Sequence, residues 1–184
     1  MISISDLQDI HAGRPAAVLG GGPSLPEDLK QIPTGCVLIS VNQHALQLVK
    51  ADYLVFLDDP LTEPDLLEAI RAFEGIKVSR RREWADVELG PPVAKRRMGQ
   101  YTGHVAALFA EWLGCDPLLL LGMDCYQGGQ IYFYQRPRWR QRRLTMAKAL
   151  GGWKQVKKDS LHPERIKAVS GPLVDVFGKC QERP

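Results

Sequence analysis

Several groups of residues in this chain have types and spacing suited to chemistry. Gly20-Gly21-Gly22-Pro23-Ser24 follows a short apolar run and precedes a helical pattern. A glycine turn lets the backbone come close to an anion, and a helix start behind it offers free N–H groups and the positive end of a dipole. The turn is therefore a candidate phosphate cradle, with a plain strand-to-helix turn as the alternative. It is not the full dinucleotide fingerprint, because Leu25 stands where the third glycine belongs, and no Gly-Lys-Ser/Thr follows to make a Walker A loop. Asn42-Gln43-His44 offers an amide able to read a base edge or a ribose, or simply to cap a helix. Asp58-Asp59-Pro60 could hold a magnesium ion through one carboxylate, although Asp before Pro is also ordinary turn chemistry.

The richest group is Gly122-Met123-Asp124-Cys125-Tyr126-Gln127-Gly128-Gly129, with Tyr132 and Tyr134 close behind. It combines an acid, a flexible glycine pair and phenols that can hydrogen-bond phosphate oxygens without adding charge. Arg136-Pro137-Arg138-Trp139-Arg140-Gln141-Arg142-Arg143 mixes arginines with an aromatic ring, which suits phosphate contact or a solvated helix start. Arg80-Arg81-Arg82 and Lys95-Arg96-Arg97 are similar and carry no assignment.

These groups need a scaffold, and the hydrophobic pattern supplies one. Continuous apolar runs at Ala16–Leu19, Cys36–Val41, Tyr53–Leu57, Ile76–Ser79, Leu118–Leu121 and Ile166–Val169 look like strands buried on both faces of a parallel sheet. Helical patterns lie between them. Ser24-Leu25-Pro26-Glu27 reads as a capping box. Thr62 and Pro64 open a helix through Ala72, Thr102 opens another that Gly114 ends, and a further one is predicted from about Arg140 to Trp153. Strand–helix alternation predicts a single α/β domain over residues 1–184, with a mostly parallel, doubly wound sheet flanked by helices. Residues 80–100, with Gly90-Pro91-Pro92 and little periodicity, read as an irregular excursion. Ligands of such a sheet sit beyond the carboxyl ends of its strands, where the candidate groups fall.

Composition narrows the classes further. With 184 residues, 45% hydrophobic and 24% charged, the chain can bury a full core, and disordered, collagenous and coiled-coil classes are excluded. A net charge of +3 argues against non-specific nucleic-acid binding. Four scattered cysteines without a C-x-x-C argue against a disulfide framework or a zinc ribbon. No apolar run approaches a membrane span and the first residues lack a signal-peptide pattern, so a soluble, reduced, cytoplasmic protein is expected.

Taken together, Gly20-Gly21-Gly22-Pro23-Ser24-Leu25, Val41-Asn42-Gln43, Tyr101-Thr102-Gly103 and Gly122-Met123-Asp124-Cys125-Tyr126-Gln127 with Tyr132 resemble the bacterial sialyltransferases that use CMP-sialic acid. More distantly they resemble the 6-hydroxymethylpterin diphosphokinase-like family, which shares the Gly-Pro-Ser-Leu turn and a Gly-x-Asp strand end. The resemblance runs in patches from about Val18 to Tyr134.

The first resemblance implies a Rossmann-like fold and an inverting, metal-independent transfer from a CMP-sugar, with no cofactor. It implies that Gly20, Gly21, Gly22, Pro23, Ser24 and Asn42 hold the nucleotide, that Thr102 and Gly103 line the same pocket, and that Gly122 and Asp124 border it. Tyr126 and Tyr132 match paired phenols that hydrogen-bond the departing phosphate, where donors stabilise developing charge. A histidine serves as base in that family. His162, the histidine after the tyrosines, takes this role here, with His44 and His104 as rivals nearer the expected pocket. The chain differs in carrying Gly21 where the family has Asn, and in having little room for a lid between Leu57 and Ile76. The second resemblance implies a magnesium-dependent phosphoryl transferase with Asp58 and Asp124 as metal ligands. A third class is a non-catalytic nucleotide- or partner-binding module docked through the arginine-rich stretch.

Overall fold

The computed structural model describes residues 2–90, 101–127, 131–134 and 145–180. Seven strands form one sheet in the order β5-β4-β3-β2-β1-β6-β7. They are β1 (Ala16–Leu19), β2 (Val37–Val41), β3 (Tyr53–Phe56), β4 (Ile76–Ser79), β5 (Val87–Glu88), β6 (Leu118–Leu121) and β7 (Ile166–Ala168). Every pairing is parallel. The register is continuous through the middle, with Val18 opposite Ile39 on one side and Leu120 on the other.

The continuous apolar runs are explained by burial on both faces. Along β1, Ala16 and Val18 face one core while Ala17 and Leu19 face another. On the first face lie α3 (Thr102–Trp112) and α4 (Met146–Asp159), which bring Val105, Phe109, Trp153 and Val156 against Val18, Ile39 and Leu120. α3 is buried from Thr102 to Ala110, so its sequence is apolar all round instead of amphipathic. On the opposite face α1 (Leu25–Asp28) packs Leu25 against Leu19 and Leu121, and α2 (Pro64–Ala72) packs Leu66 and Ile70 against Leu54 and Phe56. Each such side chain contributes about 1.5–3 kcal/mol of burial. A short α5 (Val174–Phe177) closes the end beside β7. The expected α/β architecture is therefore present, and it is a Rossmann-like doubly wound sheet. Among the described residues, no helix is long and apolar enough to cross a membrane.

Several expectations are corrected. The capping box does not form. Ser24 itself has helical angles (φ −73, ψ −17) and makes no cap bond, because its hydroxyl is drawn to two carboxylates described below, while Glu27 pairs with Lys30. Residues 80–90 are not irregular: a 3-10 turn at Arg82–Trp84 leads into the edge strand β5, while 91–100 lie outside the described residues. The helix expected to end near Trp153 runs on to Asp159, with Thr145 accepting from the Lys148 N–H at its start. Its Gly151-Gly152 pair weakened the sequence pattern midway. Gly114 ends α3 as expected, at φ +79.

Strand order reverses between β1 and β6. That is the topological switch point, where an open α/β sheet leaves a crevice at its carboxyl edge.

Candidate functional site at the switch point

The turns that leave β1 and β6 are tied to each other. Gly20 N–H donates to Leu121 O at 2.8 Å and Gly22 N–H to Gly122 O at 2.8 Å. Ser24 N–H donates to Asp124 Oδ2 at 3.2 Å. The Ser24 hydroxyl stands 3.0 Å from the same oxygen and 2.9 Å from Asp28 Oδ2. Its single proton is thus shared between two carboxylates. Asp28, only 2% exposed, also accepts the Gly122 N–H at 2.9 Å. Glycine is needed here for closeness: a Cβ on Gly22 would overlap the Asp124 carboxylate, and one on Gly20 would overlap Gly122 O.

This network changes the reading of the glycine turn. The N–H groups of Gly20, Gly22 and Ser24 join β1 to β6, and α1 is a single turn long. The turn therefore shapes the floor of the crevice and holds its two sides together, with these three N–H groups engaged within the protein.

A second cluster lies on Gly21. His44 stacks on Tyr132 with ring centroids 4.4 Å apart, and its Nδ1 is 2.7 Å from Tyr134 Oη. The Phe133 N–H donates to Gly21 O at 3.0 Å and fastens this segment to the turn. A Cβ on Gly21 would stand 2.7 Å from His44 Cγ and 2.9 Å from Tyr132 Cδ1. The imidazole and phenol thus occupy the space that an asparagine side chain would need at position 21.

Asn42 follows β2 in a left-handed conformation (φ 53). Its Nδ2 donates to Asp58 Oδ2 at 2.9 Å, and its Oδ1 is buried without a partner among the described residues. Cys125 (φ 51) and Tyr126 (φ 64) follow β6 in the same unfavourable region. Consecutive left-handed residues other than glycine store strain, which proteins retain where position matters for function. Burial, reinforced by Tyr132, Tyr101, Cys125 and Asp58 nearby, pushes the Tyr126 phenol up to about 12. It stays protonated at neutral pH and can act as a hydrogen-bond donor.

The amino end of α3 completes the wall. Its N-cap Tyr101 makes no side-chain cap bond, while Thr102 and Gly103 are buried. The Tyr101 side chain thus leaves the first N–H groups of this eleven-residue helix uncapped, and a Cβ placed on Gly103 would stand 3.3 Å from Met123 of the β6 turn. His104, 1% exposed, sets its ring edge against Trp153 at 4.6 Å and against Tyr101 at 5.1 Å. Burial lowers its pKa to about 4, and its Nδ1 has no partner among the described residues.

Sequence order misplaced one residue. His162 precedes β7, so it stands at the amino edge of the sheet, away from the tyrosines. Its backbone N–H donates to Glu111 Oε1 at 2.7 Å, near the far end of α3, and its ring lies 3.5 Å from Glu164. The structure does not bring it to Tyr126; of the histidines, His44 and His104 lie at the carboxyl edge. Gly128, Gly129 and the arginine-rich stretch at 136–143 lie outside the described residues. Among the described residues, no three His, Cys, Asp or Glu side chains group around a metal position. Asp58 orients Asn42, and Asp124 engages Ser24.

Two participants escaped the sequence reading. Asp28 was legible only as an acid four residues after Ser24, in the shadow of the capping-box pattern at Glu27. Ser170-Gly171-Pro172, after β7, repeats the glycine–proline step that follows β1, and the Ser170 hydroxyl is buried without a partner among the described residues.

The sequence matches no protein-family model and no curated protein sequence. Solved structures share the fold. The sialyltransferase CstII from Campylobacter jejuni, in complex with the substrate analogue cytidine-5'-monophosphate, aligns with a TM-score of 0.64 at 16% identity over 93% of this chain and 87% of that one. The same sialyltransferase with a trisaccharide acceptor and CMP aligns with a TM-score of 0.62 at 15% identity, covering 92% and 87%. The MAf glycosyltransferase from Magnetospirillum magneticum AMB-1 aligns with a TM-score of 0.57 at 13% identity, covering 91% of this chain and 35% of that one.

Proposed function

We propose that this chain is a sialyltransferase-like glycosyltransferase that binds a CMP-sugar in the crevice between β1 and β6. One observation carries the reading. The buried side-chain polar atoms without a partner among the described residues are Asn42 Oδ1, His104 Nδ1 and Ser170 Oγ, and all three lie at the carboxyl edge of the sheet. An unsatisfied buried polar atom costs about 1–3 kcal/mol, so a cluster of them at one edge points to a polar ligand that supplies the partners. The fold shared with CMP-bound sialyltransferases supports the choice of ligand.

In this reading Asn42 Oδ1 accepts from a ribose hydroxyl or a cytosine amine, with Asp58 fixing the amide so that its oxygen faces the ligand. The phosphate lies at the start of α3, against the Thr102 and Gly103 N–H groups, where the helix dipole favours negative charge. Gly20, Gly21, Gly22, Pro23 and Ser24 form the floor, and Gly122 and Asp124 the opposite border. The acceptor oxygen bonds to the sugar carbon as the bond from that carbon to the phosphate oxygen breaks, inverting the carbon. Tyr126 and Tyr132 donate to the phosphate as its charge grows, and CMP leaves. His44 takes the acceptor proton in place of His162, held in orientation by its stack on Tyr132. No metal is required, because the helix start and the phenols meet the charge.

Calorimetric titration against CMP, UDP, ATP and GTP, each with and without magnesium, tests this. CMP is expected to bind with an affinity indifferent to magnesium. Binding only of a triphosphate with magnesium would replace this reading with pyrophosphoryl transfer. CMP binding without release of CMP from any CMP-sugar would leave a nucleotide-binding module.

A further inference from the structure

Beyond β7 the chain forms a second polar corner, to which the reading above assigns no part of the ligand. β7 pairs with β6, and the bonding continues one residue past the strand, with Val169 N–H donating to Leu120 O at 3.1 Å. Ser170 therefore emerges beside the β6 turn, at the same edge as Gly122 and Asp124. Its hydroxyl is buried and has no partner among the described residues. Gly171 is left-handed (φ 70), and a Cβ placed on it would meet only Asp124 among the described residues, with Oδ1 at 3.7 Å. The two oxygens of Asp124 thus face different ways. Oδ2 takes the Ser24 N–H and hydroxyl, and Oδ1 turns toward the β7 corner.

We propose that Ser170 Oγ and Asp124 Oδ1 form a hydroxyl-reading subsite at the end of β7, which holds the hydroxyl-bearing part of the bound nucleotide sugar. The assignment rests on the nucleotide-sugar reading above and extends it. A carboxylate oxygen repels phosphate, so this corner excludes the charged part of the ligand and favours neutral O–H donors. The Ser170 hydroxyl, one residue before the glycine that faces Oδ1, both accepts and donates, which matches a neighbouring pair of hydroxyls. The phosphate at α3 and the hydroxyls at β7 then divide the crevice by charge, and that division orients the ligand along the edge of the sheet.

The hydroxyls belong either to the ribose or to the transferred sugar, and one set of titrations separates the two. Wild type and Ser170→Ala are titrated with CMP, 2′,3′-dideoxy-CMP and CMP-sialic acid. If the corner reads the ribose, Ser170→Ala weakens CMP about tenfold, as expected for one lost hydrogen bond, while wild type and variant bind the dideoxy ligand alike because it lacks the hydroxyl that Ser170 reads. If it reads the sugar, CMP affinity is kept and CMP-sialic acid weakens by that factor. Either pattern supports the subsite. Equal affinities of wild type and variant for all three ligands overturn it and leave the nucleotide reading intact. Wild type that binds none of them overturns both. The unfolding midpoint serves as the control. The replaced hydroxyl has no partner among the described residues, so Ser170→Ala is expected to melt at or above the wild-type temperature. A lowered midpoint would assign Ser170 a structural bond instead and overturn the subsite.

Discussion

At the amino edge of the sheet, polar side chains find partners within the protein. His11 Nε2 lies 2.9 Å from Tyr53 Oη, Arg14 donates to Gly35 O at 3.1 Å, and Glu111 Oε1 accepts from the Ser160 hydroxyl at 2.6 Å and the His162 N–H at 2.7 Å. At the carboxyl edge, Asn42, His104 and Ser170 each keep a buried atom without such a partner among the described residues. Backbone conformation divides in the same way. Left-handed positions near the amino edge are mostly glycine, at Gly13, Gly35 and Gly114, with Asp9 as the exception, whereas at the carboxyl edge Asn42, Cys125 and Tyr126 join Gly122 and Gly171 in that region. One edge is built at low local cost. The other keeps unpaired groups and strain that the stable strands between the edges must offset. Such departures from local optimum concentrate where a protein acts on something else.

The sharpest way to break this contrast is at Tyr126. Tyr126→Phe keeps the ring and its burial and removes only the donor. Release of CMP from CMP-sialic acid is expected to fall by about tenfold to a thousandfold, as when one transition-state donor is removed, with little change in the unfolding midpoint. Unchanged turnover would remove the phenol from the reaction and leave the strain at Cys125 and Tyr126 without a catalytic purpose.

His104 sharpens the contrast through pH. Its folded pKa, lowered to about 4 by burial, lies below the ordinary 6.5, so the folded chain binds fewer protons than the unfolded chain between these values. Stability from this group is complete above about pH 6.5 and declines as pH falls toward 4. The loss reaches about 3 kcal/mol at the lower end. Chemical denaturation of wild type and His104→Gln at pH 7.5, 5.5 and 4.5 checks this: the difference between the two should shift in favour of the variant as pH falls. Parallel curves would mean that the folded chain binds this proton as readily as the unfolded chain, so that burial does not hold the imidazole neutral, and His104 would drop out of the contrast between the edges.

The scaffold was largely legible because its strands are continuous apolar runs that a parallel sheet buries on both faces. β5 escaped because Val87–Glu88 is a short edge strand with no run to reveal it. The site was legible as a set of patches but not as a network. The partners of Ser24 lie four and one hundred residues away, at Asp28 and Asp124, and local propensity suggested a cap instead. Whether a buried atom such as Asn42 Oδ1 or Ser170 Oγ has a partner is set by tertiary packing, which no spacing encodes. The misplacement of His162 was avoidable. In a parallel sheet, residues just before a strand lie at the amino edge and residues just after it at the carboxyl edge. Once Ile166–Val169 is recognised as a strand, His162 belongs to the first group and Ser170 to the second.

His162→Ala therefore gives the smallest expected effect and the most direct check on the division between the edges. The ring is exposed and faces Glu164, and the bond that matters, from the backbone N–H to Glu111, survives the substitution. Exposed substitutions away from caps and networks usually stay within about 0.5 kcal/mol, so the unfolding midpoint should barely move. CMP affinity and turnover should stay within about twofold of wild type, because this ring stands at the edge opposite the proposed nucleotide site, and proton transfer needs hydrogen-bond reach. A large loss of turnover with CMP affinity and stability intact would place His162 beside the reacting atoms. The nucleotide would then have to extend past the end of α3, and the carboxyl edge would cease to be the site.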